Sequence, residues 1–198
     1  PIPLITPGAE ALTVSNNCPL QELSRAHKRK LDLCDLLEDI ADSLPEPDRV
    51  LCMQAAAILT IELPMHHADE DLGLFPLLRK RCLPGDRFDA IADRLGEEHV
   101  DLEASLAEIV AMLRSYSGGA QSDGVDQAAG YALRGLFEGL RRHIAWEEAT
   151  VMPLARERLQ DDDLAELKQA MAEHRVGQRP DALGRKSNKG TLFSEADA

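Results

Sequence analysis

Histidine and glutamate spaced four apart occur twice in this 198-residue chain, as His66 with Glu70 and as His143 with Glu147. On an α-helix, residues i and i+4 lie only about 40° apart around the axis and one turn above each other, so each pair aims an imidazole and a carboxylate at one point. Each pair is therefore half of a metal site. The surrounding stretches, PMHHADEDLGLFPLLRKR from Pro64 and HIAWEEATVMPLARER from His143, align without a gap at an offset of 77 residues. Besides His66/His143 and Glu70/Glu147, the matches are Ala68/Ala145, Pro76/Pro153, Leu77/Leu154, Arg79/Arg156 and Arg81/Arg158, seven identities in sixteen positions. Such self-similarity points to an internal duplication.

Two further histidines, His27 and His99, stand midway along strong apolar stripes. With His66 and His143 they place one imidazole near the middle of each of four expected helices, and an up-and-down bundle brings those midpoints to one level. Four buried imidazoles with two carboxylates one turn below two of them are costly to bury without a cation. The donor set His27, His66, Glu70, His99, His143 and Glu147 exceeds the four ligands of a structural zinc site, and no H-E-x-x-H helix is present. Imidazole and carboxylate without thiolate suit iron first, manganese or zinc second. Two ions sharing Glu70 and Glu147 as bridges use the set best.

Three more residues are candidates for the site or its surroundings. Glu103 follows His99 by four and can face the ions as ligand or as an outer partner. His67 is turned about 100° from His66; it is either a helix-interface histidine or, where a kink at Pro64 rotates the helix, a ligand to the second ion. Glu62, one turn before His66, is placed to hydrogen-bond an imidazole and fix its tautomer. His174 is expected to be exposed, and Trp146, between His143 and Glu147 in sequence, to serve packing.

The elements that must position these groups are helices. The spacing predicts a first helix capped by Asn17, with Pro19 in its first turn, running to about Leu44 with Leu20, Leu23, His27, Leu31 and Cys34 facing inward. Asp48 caps a second from about Arg49 to Cys82, in which Pro64 and Pro76 each remove a backbone hydrogen bond and permit a kink. After Pro84-Gly85-Asp86 a third carries Phe88, Ile91, Leu95, His99, Leu102, Leu106, Ile109 and Leu113. Ser117 to Asp126 reads as a flexible connection, and a fourth helix follows from about Gln127 to Leu159. Asp161 to Asp163 start a short fifth helix ending near Gly177. The expected architecture is all-α, an antiparallel up-and-down four-helix bundle over residues 18–159. An N-terminal arm over 1–17, an appended helix over 160–177 and a tail of disordered composition over 178–198 complete it.

Composition sets the outer bounds. Hydrophobic residues make up 44% and aromatics only 4%, so the core is built on Leu and Ala, which suit helices. A net charge of −13 argues against nucleic acid or an anionic membrane as partner. No apolar run reaches membrane-span length, and residues 1–12 lack the pattern of a signal peptide, so a cytoplasmic location is expected. Cys18, Cys34, Cys52 and Cys82 form no C-x-x-C pair; Cys34 and Cys52 are expected as buried thiols.

In the order and spacing of its histidines and glutamates the chain resembles the hemerythrin-like, or HHE cation-binding, domains. These carry a histidine on helix one, H-x-x-x-E and a phenylalanine-proline step on helix two, a histidine on helix three and H-x-x-x-E on helix four. Here those are His27, His66 with Glu70 and Phe75-Pro76, His99, and His143 with Glu147. The resemblance spans about Cys18 to Leu159 and implies a non-haem di-iron centre bridged by Glu70 and Glu147 plus an oxo, hydroxo or water ligand. His27 and His66 would belong mainly to one ion, His99 and His143 to the other. Two departures from oxygen-carrying members are visible. Glu103 stands where they have a second helix-three histidine, and Glu147 replaces an aspartate spaced one residue further along. A shell richer in carboxylates makes iron harder and favours its oxidised state, which disfavours simple reversible oxygen transport.

The resemblance implies binding or sensing of dioxygen, peroxide or nitric oxide, or iron storage. One alternative is an enzyme acting on peroxide or nitric oxide or donating iron for repair of iron centres, although the family's repair proteins have an N-terminal cysteine-pair domain. A second alternative is an iron- and oxygen-responsive signalling module that contacts a protein partner through the fifth helix.

Overall fold

The first helix, α1 (Pro19–Asp42), starts with proline in the first turn, where N–H groups have no partner within the helix. The computed structural model describes residues 18–118 and 126–177. The expected cap Asn17, the arm 1–17, most of the connection after Ser117 and the tail 178–198 lie outside them; Cys18 occupies the N-cap without a side-chain cap bond. Leu20, Leu23, His27, Cys34 and Leu37 are buried at the expected steps, but Leu31 is 38% exposed. The inward place beside it is taken by Lys30, because the stripe follows 3.6 residues per turn and position 30 lies closer to its centre.

The second long rod runs α2 (Arg49–Ala68), a π-helical segment (Asp69–Leu74) and α3 (Phe75–Arg81). Asp48 caps it as the sequence predicts, its Oδ1 accepting from Val50 N at 2.7 Å and Leu51 N at 3.1 Å. The expected disturbance at Pro76 takes the form of the π segment. Phe75 N–H bonds five residues back to Glu70 O. Widening the turn just before Pro76 accommodates a residue with no N–H whose ring crowds the preceding turn.

A short 3₁₀ turn (Pro84–Asp86) leads into α4 (Phe88–Ser117), and α5 (Asp126–Arg158) returns the chain. α1 packs along α5 and α2 along α4, while α1 also touches α2 and α4 touches α5. The result is an all-α bundle with no strand among the described residues. No described helix is long and apolar enough to cross a membrane. The last helix, α6 (Asp161–Gly177), lies across the π segment. Gly73 permits that approach, since a Cβ there would stand 3.0 Å from Leu167 Cδ1.

The core divides in two. One half gathers Leu37, Leu59, Leu63, Leu113, Leu133 and Leu140. The other gathers Leu23, Leu74, Leu78, Leu95, Met152 and, from α6, Leu167 and Met171. On every rod the residues separating the halves are polar ones: His27 on α1, His66, His67 and Glu70 on the second rod, His99 on α4, His143 and Glu147 on α5. All are buried.

Gly135 and Gly139 sit within α5 with nothing inside 4 Å of where a Cβ would be. Gly135→Ala and Gly139→Ala are each expected to raise stability by about 0.5–1 kcal/mol through helix propensity. Urea unfolding checks this; a lowered midpoint would mean that α4 and α5 lie closer together than described.

Candidate metal centre

Each of the six histidine and glutamate residues predicted for the site reaches the polar layer from the middle of its helix. His27 Nε2 stands 3.2 Å from both Glu70 Oε1 and Glu147 Oε2. His66 Nε2 is 3.3 Å from Glu70 Oε2, and His143 Nε2 is 3.4 Å from Glu147 Oε1. His99 Nε2 faces His143 Nε2 at 3.0 Å. These atoms form two compact groups, His27 with His66, Glu70 and Glu147, and His99 with His143 and Glu147; within each, the potential ligand atoms lie within 4.8 Å of one another. Glu147 belongs to both.

The donor chemistry fits a cation. Both ring nitrogens of His66, Oε2 of Glu70 and both carboxylate oxygens of Glu147 are sealed from solvent without a hydrogen-bond partner. Several lie only 3.2–3.4 Å from another polar atom, yet out of line for a hydrogen bond. Lone pairs that close and unaligned converge on a shared point, which a proton between two of them does not satisfy but an ion does.

The outward nitrogens of the rings are held by carboxylates that sequence reasoning did not single out. His27 Nδ1 meets Glu148 Oε1 at 2.7 Å, His99 Nδ1 meets Asp71 Oδ2 at 3.0 Å and His143 Nδ1 meets Glu98 Oε2 at 3.0 Å. With the carboxylate accepting, each imidazole carries its proton on Nδ1 and keeps the Nε2 lone pair for the interior, the usual support of a metal-bound histidine. A signal was available. Asp71 and Glu148 follow the paired glutamates at equivalent places in the duplicated stretches, and Glu98 directly precedes His99.

His67 and Glu103 meet each other, at 2.9 Å between His67 Nδ1 and Glu103 Oε1. His67 is buried, stacks on His99 at 4.0 Å between ring centres and leaves Nε2 without a partner, outside both compact groups. Glu103 is half-exposed and on the outer side of His67. Two expectations are corrected. Glu62 does not reach an imidazole: it is drawn to Arg29, 3.7 Å away across α1, where both groups keep their hydration. His174 is not simply exposed, since its Nδ1 lies 2.8 Å from Asp69 Oδ1 beneath α6. Trp146 packs at the edge of the second core half under the Arg94 guanidinium, as expected.

Electrostatics in the metal-free cluster are divided. Burial lowers the His27 pKa, but the flanking Glu147 and Glu70 carboxylates outweigh it and raise the net value to about 10. His143 is raised to about 9, where burial is likewise outweighed by Glu147 and then Glu98. Burial and then Glu147 push Glu70 up to about 7, whereas Glu147, despite its burial, is held low by His143 and His27. His67 is lowered to about 2 by burial and then by His99 and His143.

The signs give a pH profile for the chelator-treated protein. Raised histidines stabilise fully below their unfolded pKa of about 6.5 and lose that contribution as pH climbs through 9 and 10; Glu70 acts in the same direction near 7. The lowered His66 and His67 stabilise above about 6.5, and that contribution falls away as pH drops toward their folded values. Urea unfolding between pH 4 and 10 is expected to show a maximum near neutrality, flattened on the alkaline side once metal is bound. A stability that rises steadily to pH 10 without metal would contradict this charge arrangement.

A comparison with curated proteins returned no match. The family model for the hemerythrin HHE cation binding domain does match, over residues 18–155. That span contains three rods of the bundle and all but the last turn of α5, both H-x-x-x-E pairs and every residue of the two compact donor groups. The chain belongs to the hemerythrin HHE cation-binding family.

Proposed function

We propose that this chain holds two iron ions in the polar layer and uses them to bind a small molecule, dioxygen, peroxide or nitric oxide, for sensing, storage or detoxification. The observation that carries the reading is the pair of donor groups joined through Glu147. His27 and His66 would hold one ion, His99 and His143 the other, and Glu70 and Glu147 would be shared between them. Glu70 suits sharing because its Oε2 stands 3.3 Å from His66 Nε2 and 3.7 Å from His99 Nε2, histidines assigned to different ions. When bound, iron supplies redox chemistry and open coordination positions.

The chain's own residues set the surroundings. Glu148, Asp71 and Glu98 fix the tautomers of His27, His99 and His143 and raise their basicity. His67 and Phe75, both within 11° of parallel to His99, hold its ring orientation. Glu103 orients His67 rather than contacting an ion. A groove of about 1220 Å³ between α4 and α5 has His143 and Trp146 on its wall, which favours small-molecule approach from that side.

Freshly purified protein is expected to contain about two irons per chain with an oxo-bridge charge-transfer band. Glu70→Ala and Glu147→Ala should each lower iron content well below that of Glu103→Ala. Similar loading in all three variants would contradict the bridging assignment. Stopped-flow mixing of the reduced form with peroxide and nitric oxide separates turnover from stable adduct formation.

A second reading, signalling through α6, is favoured by one observation. Asp69, next to Glu70 in the π segment, is buried against His174 and lies 3.4 Å from Arg175 of α6. Metal that moves Glu70 would then be felt at α6. Limited proteolysis should cut near residues 161–177 at different rates in iron-loaded and chelated protein, and equal rates would rule the reading out.

A further inference from the structure

The outer side of α2 is apolar. From Val50 to Ala68 it carries one formally charged side chain, Glu62, whereas α1 carries ten in its 24 residues. Glu62 is drawn toward Arg29 of α1 and so does not interrupt that side. Val50, Met53, Ile61 and, in the π segment, Leu72 are 54% to 68% exposed, with Ala57 exposed between them. Steps of three and four, and then eleven, put these residues on one side of the rod, away from the core residues Cys52, Leu59 and Leu63. A helix that is apolar all round is normally covered all round.

The uncharged surface extends onto α4. Val100 is 67% exposed and lines a cleft shared with Asp71 and Pro76 of the second rod. Ala104, Ala107 and Ala111, exposed at the following steps of four, three and four, continue it. From Val50 to Leu72 the rod is roughly 33 Å long, and two helices each roughly 10 Å wide make a patch of roughly 660 Å². That approaches the ~800 Å² per partner of a stable association.

Two properties of the patch fit a second copy of this chain. The first is charge. With 35 acidic against 22 basic residues, two copies repel over most of their surfaces, so a contact between them needs a face on which like charges do not meet. The second is shape. When two α2 helices lie antiparallel across a two-fold axis at Ile61, the positions that meet are those equidistant from it. Ala57 then meets Met65 and Ala68 meets Gln54, so that a small side chain receives a long one. Val50 meets Leu72 at the ends, and Ile61 meets Ile61 at the centre. A contact between identical patches requires this self-complementarity. A lipid surface would instead call for lysine and arginine beside the apolar face, and α2 has Arg49 alone.

We propose that this face is a homodimer interface, in which α2 packs antiparallel against α2 of a second copy about an axis at Ile61, with α4 at its margin. Ile61 is exposed in the single chain, so charged substitutions there leave the core in place, which circular dichroism verifies. Sedimentation equilibrium of the full wild-type chain at micromolar concentration is expected to give twice the chain mass of 21.7 kDa. Ile61→Glu and Ile61→Lys each set like charges against each other at the axis and are expected to weaken association by about a hundredfold or more. An equal mixture of the two variants is expected to restore the dimer, because across a two-fold axis position 61 meets its own counterpart, now of opposite charge.

A wild-type chain that stays monomeric throughout the micromolar range would overturn the proposal, as would dimers that survive in both single variants. A mixture no more associated than its components would overturn it as well, since the axis would not lie at Ile61. Binding of phosphatidylcholine vesicles by a monomeric wild-type chain, and not by Ile61→Glu, would assign the face to a lipid surface instead.

Discussion

Two carboxylates and five imidazoles are buried in a layer between two apolar halves of one core. Removing such groups from water is opposed by several kcal/mol per charge unless something inside the protein replaces the lost hydration. The remainder of the structure can be understood as that replacement. Apolar side chains above and below the layer exclude water, which strengthens every interaction within it. Outer carboxylates accept hydrogen bonds from the Nδ1 atoms of His27, His99 and His143, which turns their Nε2 atoms to the interior. A cation is the partner that such an arrangement lacks.

The π segment resolves a geometric problem within this constraint. Asp69, Glu70 and Asp71 are consecutive and have three destinations: His174 of α6, the donor cluster, and the outer nitrogen of His99. Neighbouring helical residues point about 100° apart, so one turn can distribute carboxylates to three sides. Placing the widened turn immediately before Pro76 lets the helical rod continue into α3. The equivalent stretch of α5 remains α-helical through Pro153. The two halves of the duplication have therefore diverged in backbone while keeping the same imidazole and carboxylate pair. The half that gained the wider turn is the one against which α6 packs.

Much of the inner site was legible because it obeys local periodicity. The i, i+4 pairs and their recurrence 77 residues later need no knowledge of the fold, and the apolar stripes bring His27 and His99 inward. What was not legible depends on neighbours across helices. Glu62 satisfies the helical spacing to His66, yet Arg29 on α1 provides a partner in water, so it turns outward. His174 reads as a surface residue until α6 lies over the π segment and presents it to Asp69. Lys30 illustrates the same limit from the opposite direction. Chemical type favoured Leu31 for the inward place, but the 3.6-residue period gave it to Lys30, because a buried charge is tolerated beside carboxylates.

The metal-free and metal-loaded proteins then differ in what fills one role. Without an ion, the positive charge opposing Glu147 and Glu70 is carried by protons on His27 and His143, whose pKa values are raised for that reason to about 10 and about 9. Those protons compete for the same Nε2 lone pairs that a metal requires. Binding must therefore release them, which ties affinity to pH and makes the protonated histidines placeholders for the ions.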